Sequence, residues 1–320
     1  LDVLGEVLQY PAFAPEEVEK TREELLTQLR EQEDNTRSRA GLRARELLYP
    51  DGHPYGRSAA GTPETISRLT AQDLQSFHEA YYGPEGLTLC VAGAVDPGLV
   101  RERVSGWFSG KSGPPPQPAL EVTPRGEARR STVPMPHKSQ VDLVICGPGI
   151  PRRHPDFYAL SMVNLILVSL GLMGRLGERV REQQGMAYYV YSQVASRSWA
   201  GEWAASAGVA PENVERTIES ILDEVRRIRE DLVTETELSD ARDYLIGSLP
   251  LRLETNDGVA ASLLNAEYFH LGEDYLDRYP EYIRRETRET LREAARKYLD
   301  PDRLSIAVAG PVSAPEEVSG

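Results

Sequence analysis

Residues 283–310 read IRRETRETLREAARKYLDPDRLSIAVAG, and residues 66–93, ISRLTAQDLQSFHEAYYGPEGLTLCVAG, align with them without a gap. The ten identities include Thr70/Thr287, Leu74/Leu291, Tyr81/Tyr298, Pro84/Pro301 and Gly93/Gly310. Each copy carries the same physical instructions. A threonine stands where a helix N-cap belongs, the helix closes at a tyrosine, a proline turn follows, and a short β-branched run ends at Ala-Gly. Upstream, EDNTRSRA (33–40) faces ETNDGVAA (254–261), and APEEV (14–18) resembles APENV (210–214) at another offset. An internal repeat of this length predicts a tandem of two related units.

The stretch GKSGPPPQPALEVTPRG, 110–126, is rich in proline and glycine and lacks a period, as a linker does. It divides the chain into residues 1–110, the tail of a first unit, and residues 127–320, a complete second unit. If the repeats are of equal length, the first unit lacks roughly its first 90 residues. In the second unit, strands are expected near 139–147, 187–196, 201–209 and 303–309. Helices are expected near 155–168, 173–183, 211–230, 235–252, 256–270 and 286–298. Val214, Ile218, Ile221, Leu222, Val225 and Ile228 share one helical face, and Thr234 with Glu237 forms a capping box.

Of the 320 residues, 40% are hydrophobic and 27% charged, the balance of a globular protein, and no apolar run is long enough for a membrane span. The net charge of −14 argues against a nucleic-acid partner. Cys90 and Cys146 lie in apolar, strand-like runs and read as buried thiols rather than a bridge. The composition leaves the compartment open.

No two of the five histidines, His53, His78, His137, His154 and His270, lie within ten residues of one another, so no helix carries a zinc pair at i, i+4. A serine-hydrolase elbow, a P-loop and a dinucleotide fingerprint are absent. The acidic helix PEEVEKTREELLTQLREQED, 15–34, reads as i, i+4 pairs on a wet face. One stretch offers converging donors: VREQQGMAYYVYS, 180–192. A helix stops at Gly185, with Arg181 one turn before the stop and Tyr188 just after it. Arg181 can simply complement the helix dipole and Tyr188 fill a sheet face. The same turn can also aim guanidinium and phenol at one carbonyl or oxyanion.

GRLGERVREQQGMAYYVYS (174–192), preceded by HPDFYALSMVNLIL, resembles the pitrilysin/insulinase family of zinc metallopeptidases, the inverzincins. EEVEKTREELLTQLREQED and ELLYPDGHPYGRSAAGTPETISRLTAQDLQSFHEAYYGPEGLTLCVAGAVD resemble it too, so the likeness covers almost the entire chain. The resemblance implies an α+β fold of two homologous units, each a mixed, mainly antiparallel sheet with helices packed on one face. It implies that Arg181 and Tyr188 grip the substrate near the scissile bond in a partner's active site. The family's H-x-x-E-H motif belongs early in a first domain, a region outside this sequence, so of the zinc ligands only the third can be read here. That glutamate ligand position, aligned without gaps over VEKTREELLTQL (18–29), falls on Gln28, and an acidic position seven residues upstream falls on Thr21. The family's glycine run is reduced to Gly171 and Gly174 in LVSLGLMGRL, 167–176. The glutamine at the ligand position implies a chain without its own zinc, with Zn²⁺, activated water and glutamate base in a catalytic partner subunit or fused half that acts on peptides; the shortened glycine run argues against a glycine-loop role in substrate capture. The alternatives are a scaffold subunit without peptidase activity, or an active homodimer whose zinc motif lies upstream.

Overall fold

The computed structural model describes residues 1–108, 124–168 and 174–312. Thirteen helices occur among them: α1 (Asp2–Gln9), α2 (Pro15–Glu33), α3 (Thr36–Leu48), α4 (Pro63–Arg68), α5 (Ala71–Tyr81), α6 (Pro97–Ser105), α7 (Phe157–Val168), the short α8 (Gly174–Leu176), α9 (Val214–Glu230), α10 (Glu235–Arg252), α11 (Asn256–Tyr268), α12 (Tyr275–Arg284) and α13 (Arg288–Tyr298). Five strands complete the described chain: β1 (Arg130–Pro134), β2 (Val141–Pro148), β3 (Ala187–Ser196), β4 (Gly201–Val209) and β5 (Ser305–Gly310).

The two copies of the repeat fold alike locally. Thr70 accepts the Asp73 N–H at 3.2 Å while Asp73 accepts the Thr70 N–H at 2.8 Å, a reciprocal cap that starts α5. Thr287 and Thr290 make the same exchange at 3.3 and 2.9 Å to start α13. The copies also end alike, on Gly93 at φ +139° and Gly310 at φ +154°, conformations that favour glycine. They part at the β-branched run. In the second copy it becomes β5, held between β1 and β2. In the first, residues 87–92 form no strand, and no strand pairs with them among the described residues. A strand exists only where a neighbour takes its backbone donors and acceptors, so the expected sheet of the first unit is not formed here.

The described residues fall into two compact units that cross the linear order of the chain: one holds 1–30, 60–108 and 250–273, the other 31–59, 124–249 and 274–312. The first is helical. Within it Arg22 donates to the Ile66 carbonyl and, at 2.7 Å, to that of Leu69, and His78 Nε2 meets the Leu8 carbonyl at 2.7 Å. Residues 33–40 and 254–261, the looser pair of the repeat, both lie in segments assigned against linear order. Of the linker 110–126, residues 110–123 lie outside the described residues, as does Gly171.

The second unit is α+β, built on one mixed sheet of order β1-β5-β2-β4-β3. Only β1 and β5 run parallel; the other pairs are antiparallel. The expectation of helices on one face is corrected. β4 is buried at every position and β2 at all but its last, so both faces of the sheet are covered. On one face α3 packs Ala40, Ala44, Leu47 and Leu48 with Val144, Cys146, Ala204, Ala307 and Ala309. α9 packs on β2 and β4, α7 on β3, and α13 on α7 and α9. The α9 stripe is buried as expected at Val214, Ile218, Ile221, Val225 and Ile228, with Leu222 at its half-buried margin. Cys146 is buried and its thiol is pushed up to about 12, first by burial and then by Glu202; Cys90 is only half-buried, and neither is bridged. β1 and α12 are elements that the sequence pattern does not announce. β1 pairs with residues far along the chain, and α12 carries an internal proline, Pro280.

Candidate functional site

After α8 the chain runs through a π-helical turn, Gly177–Gln183, that charge pairs secure on both sides of Leu176 and Val180, each fully buried. Arg175 grips Glu237 at the start of α10 at 2.6 and 2.8 Å. Arg179 reaches Glu224 at 2.6 Å and Asp223 at 3.1 Å on α9. The turn closes at Gly185, whose φ of +60° reverses the chain. The Gly185 N–H donates to the Arg181 carbonyl at 3.0 Å, and the Met186 N–H to that of Val180 at 3.2 Å. The start of β3 is thus folded back on the last helical turn, the local geometry that the sequence predicts. Arg181 is exposed, and so is Tyr188, at 64%.

Tyr188 occupies a special place in the sheet. Ala187 pairs with Val209 and Tyr189 with Gly208, so Tyr188 is the extra residue of a β-bulge on edge strand β3. Bulges re-aim a side chain out of the strict alternation of a strand.

The neighbouring side chains are ones the sequence did not single out. Asp142 on β2, 2% exposed, accepts hydrogen bonds from the Tyr189 hydroxyl, from the Thr36 hydroxyl and, at 3.2 Å, from Gln140 Nε2. The Arg37 guanidinium lies 4.0 Å from the Tyr189 ring centre and 5.2 Å from that of Tyr191, and the two rings stack at 5.9 Å. Burial, then the bond to Asp142, push the Tyr189 hydroxyl well above the usual phenol range. Farther along the same face of the sheet is a cavity of about 100 Å³ bordered by Gly41, Arg45, Tyr191, Gln193, Glu202 and Ser206, among others.

The described residues do not fit zinc. Among the described residues, no group of three or more His, Cys, Asp and Glu side chains could hold a metal ion. Gln28 and Thr21 are exposed on α2, and a neutral amide is a poorer zinc ligand than a carboxylate. Four histidines are engaged elsewhere: His53 Nδ1 accepts the Tyr55 N–H, His154 Nδ1 accepts the Asp156 N–H, His137 pairs with Asp34 at 2.7 Å, and His78 meets Leu8. No helix among the described residues is long and apolar enough to cross a membrane.

Comparison with known proteins places this architecture. Residues 68–245, more than half of the chain, match the family described as "Peptidase M16 inactive domain". The chain is similar to an uncharacterized zinc protease of Streptomyces coelicolor, 29% identical over 321 residues that cover 98% of this chain and 69% of that one. It is also similar to a protein of Helicobacter pylori named a non-peptidase homolog, 25% identical over 282 residues covering 84% and 61%. Its fold matches the crystal structure of a peptidase M16 inactive domain from Pseudomonas fluorescens with a TM-score of 0.85 at 24% identity, covering 98% of this chain and 75% of the other. The chain therefore belongs to the M16, or pitrilysin, peptidase family.

Proposed function

We propose that this chain is the non-catalytic member of a pitrilysin-type zinc peptidase. It closes a chamber that holds peptides and presents Arg181 and Tyr188 to the substrate carbonyl, while the zinc site belongs to a catalytic subunit or fused half. The observation that carries this reading is the placement of Tyr188: an exposed phenol at a β-bulge, set across the Gly185 turn from an exposed helical arginine. A bulge that turns a large polar aromatic toward solvent serves an acceptor outside the unit better than it serves packing. Donors held in advance at a developing oxyanion contribute on the order of 2–4 kcal/mol to a transition state. The linear division into two homologous halves, 1–110 and 127–320 joined by 110–126, belongs to the same proposal.

In the assembled peptidase, Tyr188→Phe is expected to lower kcat by about tenfold or more with assembly intact. Unchanged turnover contradicts the role. The name of the Helicobacter pylori relative favours a second reading, a scaffold without peptidase activity. The zinc-protease name of the Streptomyces relative favours peptidase activity in that protein, and with it a third reading, an active homodimer whose zinc motif lies upstream. A scaffold gives no hydrolysis in any assembly, and a homodimer gives hydrolysis without a partner.

A further inference from the structure

Tyr188 acts on a substrate best from a bulge that is held rigid, and the row of residues beside the bulge runs from Tyr189 on β3 across Gly208 on β4 to Asp142 on β2. Gly208 is the partner of both Tyr189 on β3 and Asp142 on β2, so the three stand in one row across the sheet. To reach Asp142, the Tyr189 side chain must cross the intervening strand β4, and it crosses at the residue without a side chain. A Cβ on Gly208 would collide with the Tyr189 ring and stand 2.7 Å from Gln140 Nε2. At the far end of this span the Tyr189 hydroxyl meets a carboxylate that is itself fixed by Thr36 and Gln140. Thr36 opens α3, so the carboxylate also lies at a helix N-terminus, where negative charge is favoured. Arg37, the next residue, covers the outer face of the ring. On the other side of the bulge Ala187 is 8% exposed and paired with Val209.

We propose that Asp142, Tyr189 and Gly208 form a positioning clamp for Tyr188. The Tyr189–Asp142 bond spans the glycine saddle of β4 and fixes the bulge, so the phenol of Tyr188 is held in one direction before substrate arrives. The inference rests on the reading of Tyr188 given above. Asp142 and Tyr189 touch no reacting atom and are positioning residues. Their chemistry suits the task. A part-buried phenol–carboxylate bond is charge-assisted and directional, and it pins the strand at the position next to the bulge. Preorganisation of this kind appears in turnover rather than in ground-state affinity.

The test is a set of variants in the assembled peptidase, read with one peptide substrate. Tyr189→Phe keeps the ring and removes the hydroxyl; Gly208→Ala displaces the ring; Tyr188→Phe is the reference. The clamp predicts that Tyr189→Phe lowers kcat about three- to tenfold with KM unchanged, and that Tyr189→Phe adds nothing when Tyr188 is already phenylalanine. It also predicts faster amide exchange over residues 186–190 in Tyr189→Phe, a readout independent of chemistry. If Tyr188→Phe impairs turnover while Tyr189→Phe leaves kcat and exchange as in the parent, the clamp is overturned and the reading of Tyr188 stands. If Tyr189→Phe lowers kcat equally in both backgrounds, its effect is general destabilisation and the clamp is overturned. If Tyr188→Phe turns over normally, the reading itself falls and the clamp with it.

Discussion

Arg175 holds Glu237 with both prongs of its guanidinium, Nε at 2.6 Å from one carboxylate oxygen and Nη2 at 2.8 Å from the other. Glu237 is also the reciprocal cap of α10, its carboxylate 2.8 Å from the Thr234 N–H. Burial alone would raise its pKa above the ordinary 4.5, but Arg175 and the Thr234 N–H outweigh it and hold the carboxyl below that value. A depressed pKa in the folded state contributes stability that is complete above the unfolded value and is lost as pH falls through the folded one. Glu237→Gln is therefore expected to lower Tm at neutral pH by a few degrees, for a pair worth about 1 kcal/mol. The gap to the parent should close below pH 4.5. Melting curves from pH 7 to pH 3 check this; a gap independent of pH contradicts it.

Glu202 has the opposite character. It is 7% exposed, it pairs with Arg197 Nη2 at a long 3.5 Å, and its Oε2 finds no hydrogen-bond partner among the described residues. A carboxylate buried with so weak a partner costs more than its attraction returns. Glu202→Gln keeps the shape and removes the charge, and it should leave Tm unchanged or raise it by a few degrees. A clear fall in thermal unfolding measurements would assign Glu202 a stabilising ion pair instead.

Gly93 and Gly310 adopt similar backbone conformations in different surroundings. A Cβ on Gly310 would stand 2.8 Å from the Gln140 carbonyl oxygen and 2.9 Å from Val141 Cα, both backbone atoms that cannot step aside. On Gly93 it would meet only the Asn256 side chain, Nδ2 at 3.4 Å and Cγ at 3.8 Å. Gly93→Ala should then cost about 1 kcal/mol of backbone strain, and Gly310→Ala about 3 kcal/mol, since collision adds to strain. Urea unfolding of the two variants measures the difference; equal losses would show that conformation alone decides.

Much of the local structure was legible in the sequence because it is written in neighbouring residues. Thr70, Thr234 and Thr287 each cap the helix that their spacing announces, and Gly185 ends the helix before β3. What the sequence hid depends on residues far apart. Asp142 and Tyr189 are 47 positions apart, and nothing at either marks the other. The bulge at Tyr188 exists only relative to Val209 and Gly208 on the partner strand. The second covered face of the sheet does have a signal in the sequence: VDLVICGP is apolar at nearly every position rather than at alternate ones, the mark of a strand buried on both sides. Residues 87–92 show the converse, a strand-like sequence that stays irregular without a ladder partner.

The central claim is that this polypeptide contributes to a peptide-cleaving site without housing its metal. The most direct test is zinc content and peptide hydrolysis measured together, on the full-length protein purified alone and on its complex with an H-x-x-E-H-bearing relative. The account predicts substoichiometric zinc and no cleavage for the protein alone, and stoichiometric zinc with cleavage for the complex. One tightly held zinc per chain in the isolated protein, together with robust cleavage, would contradict it.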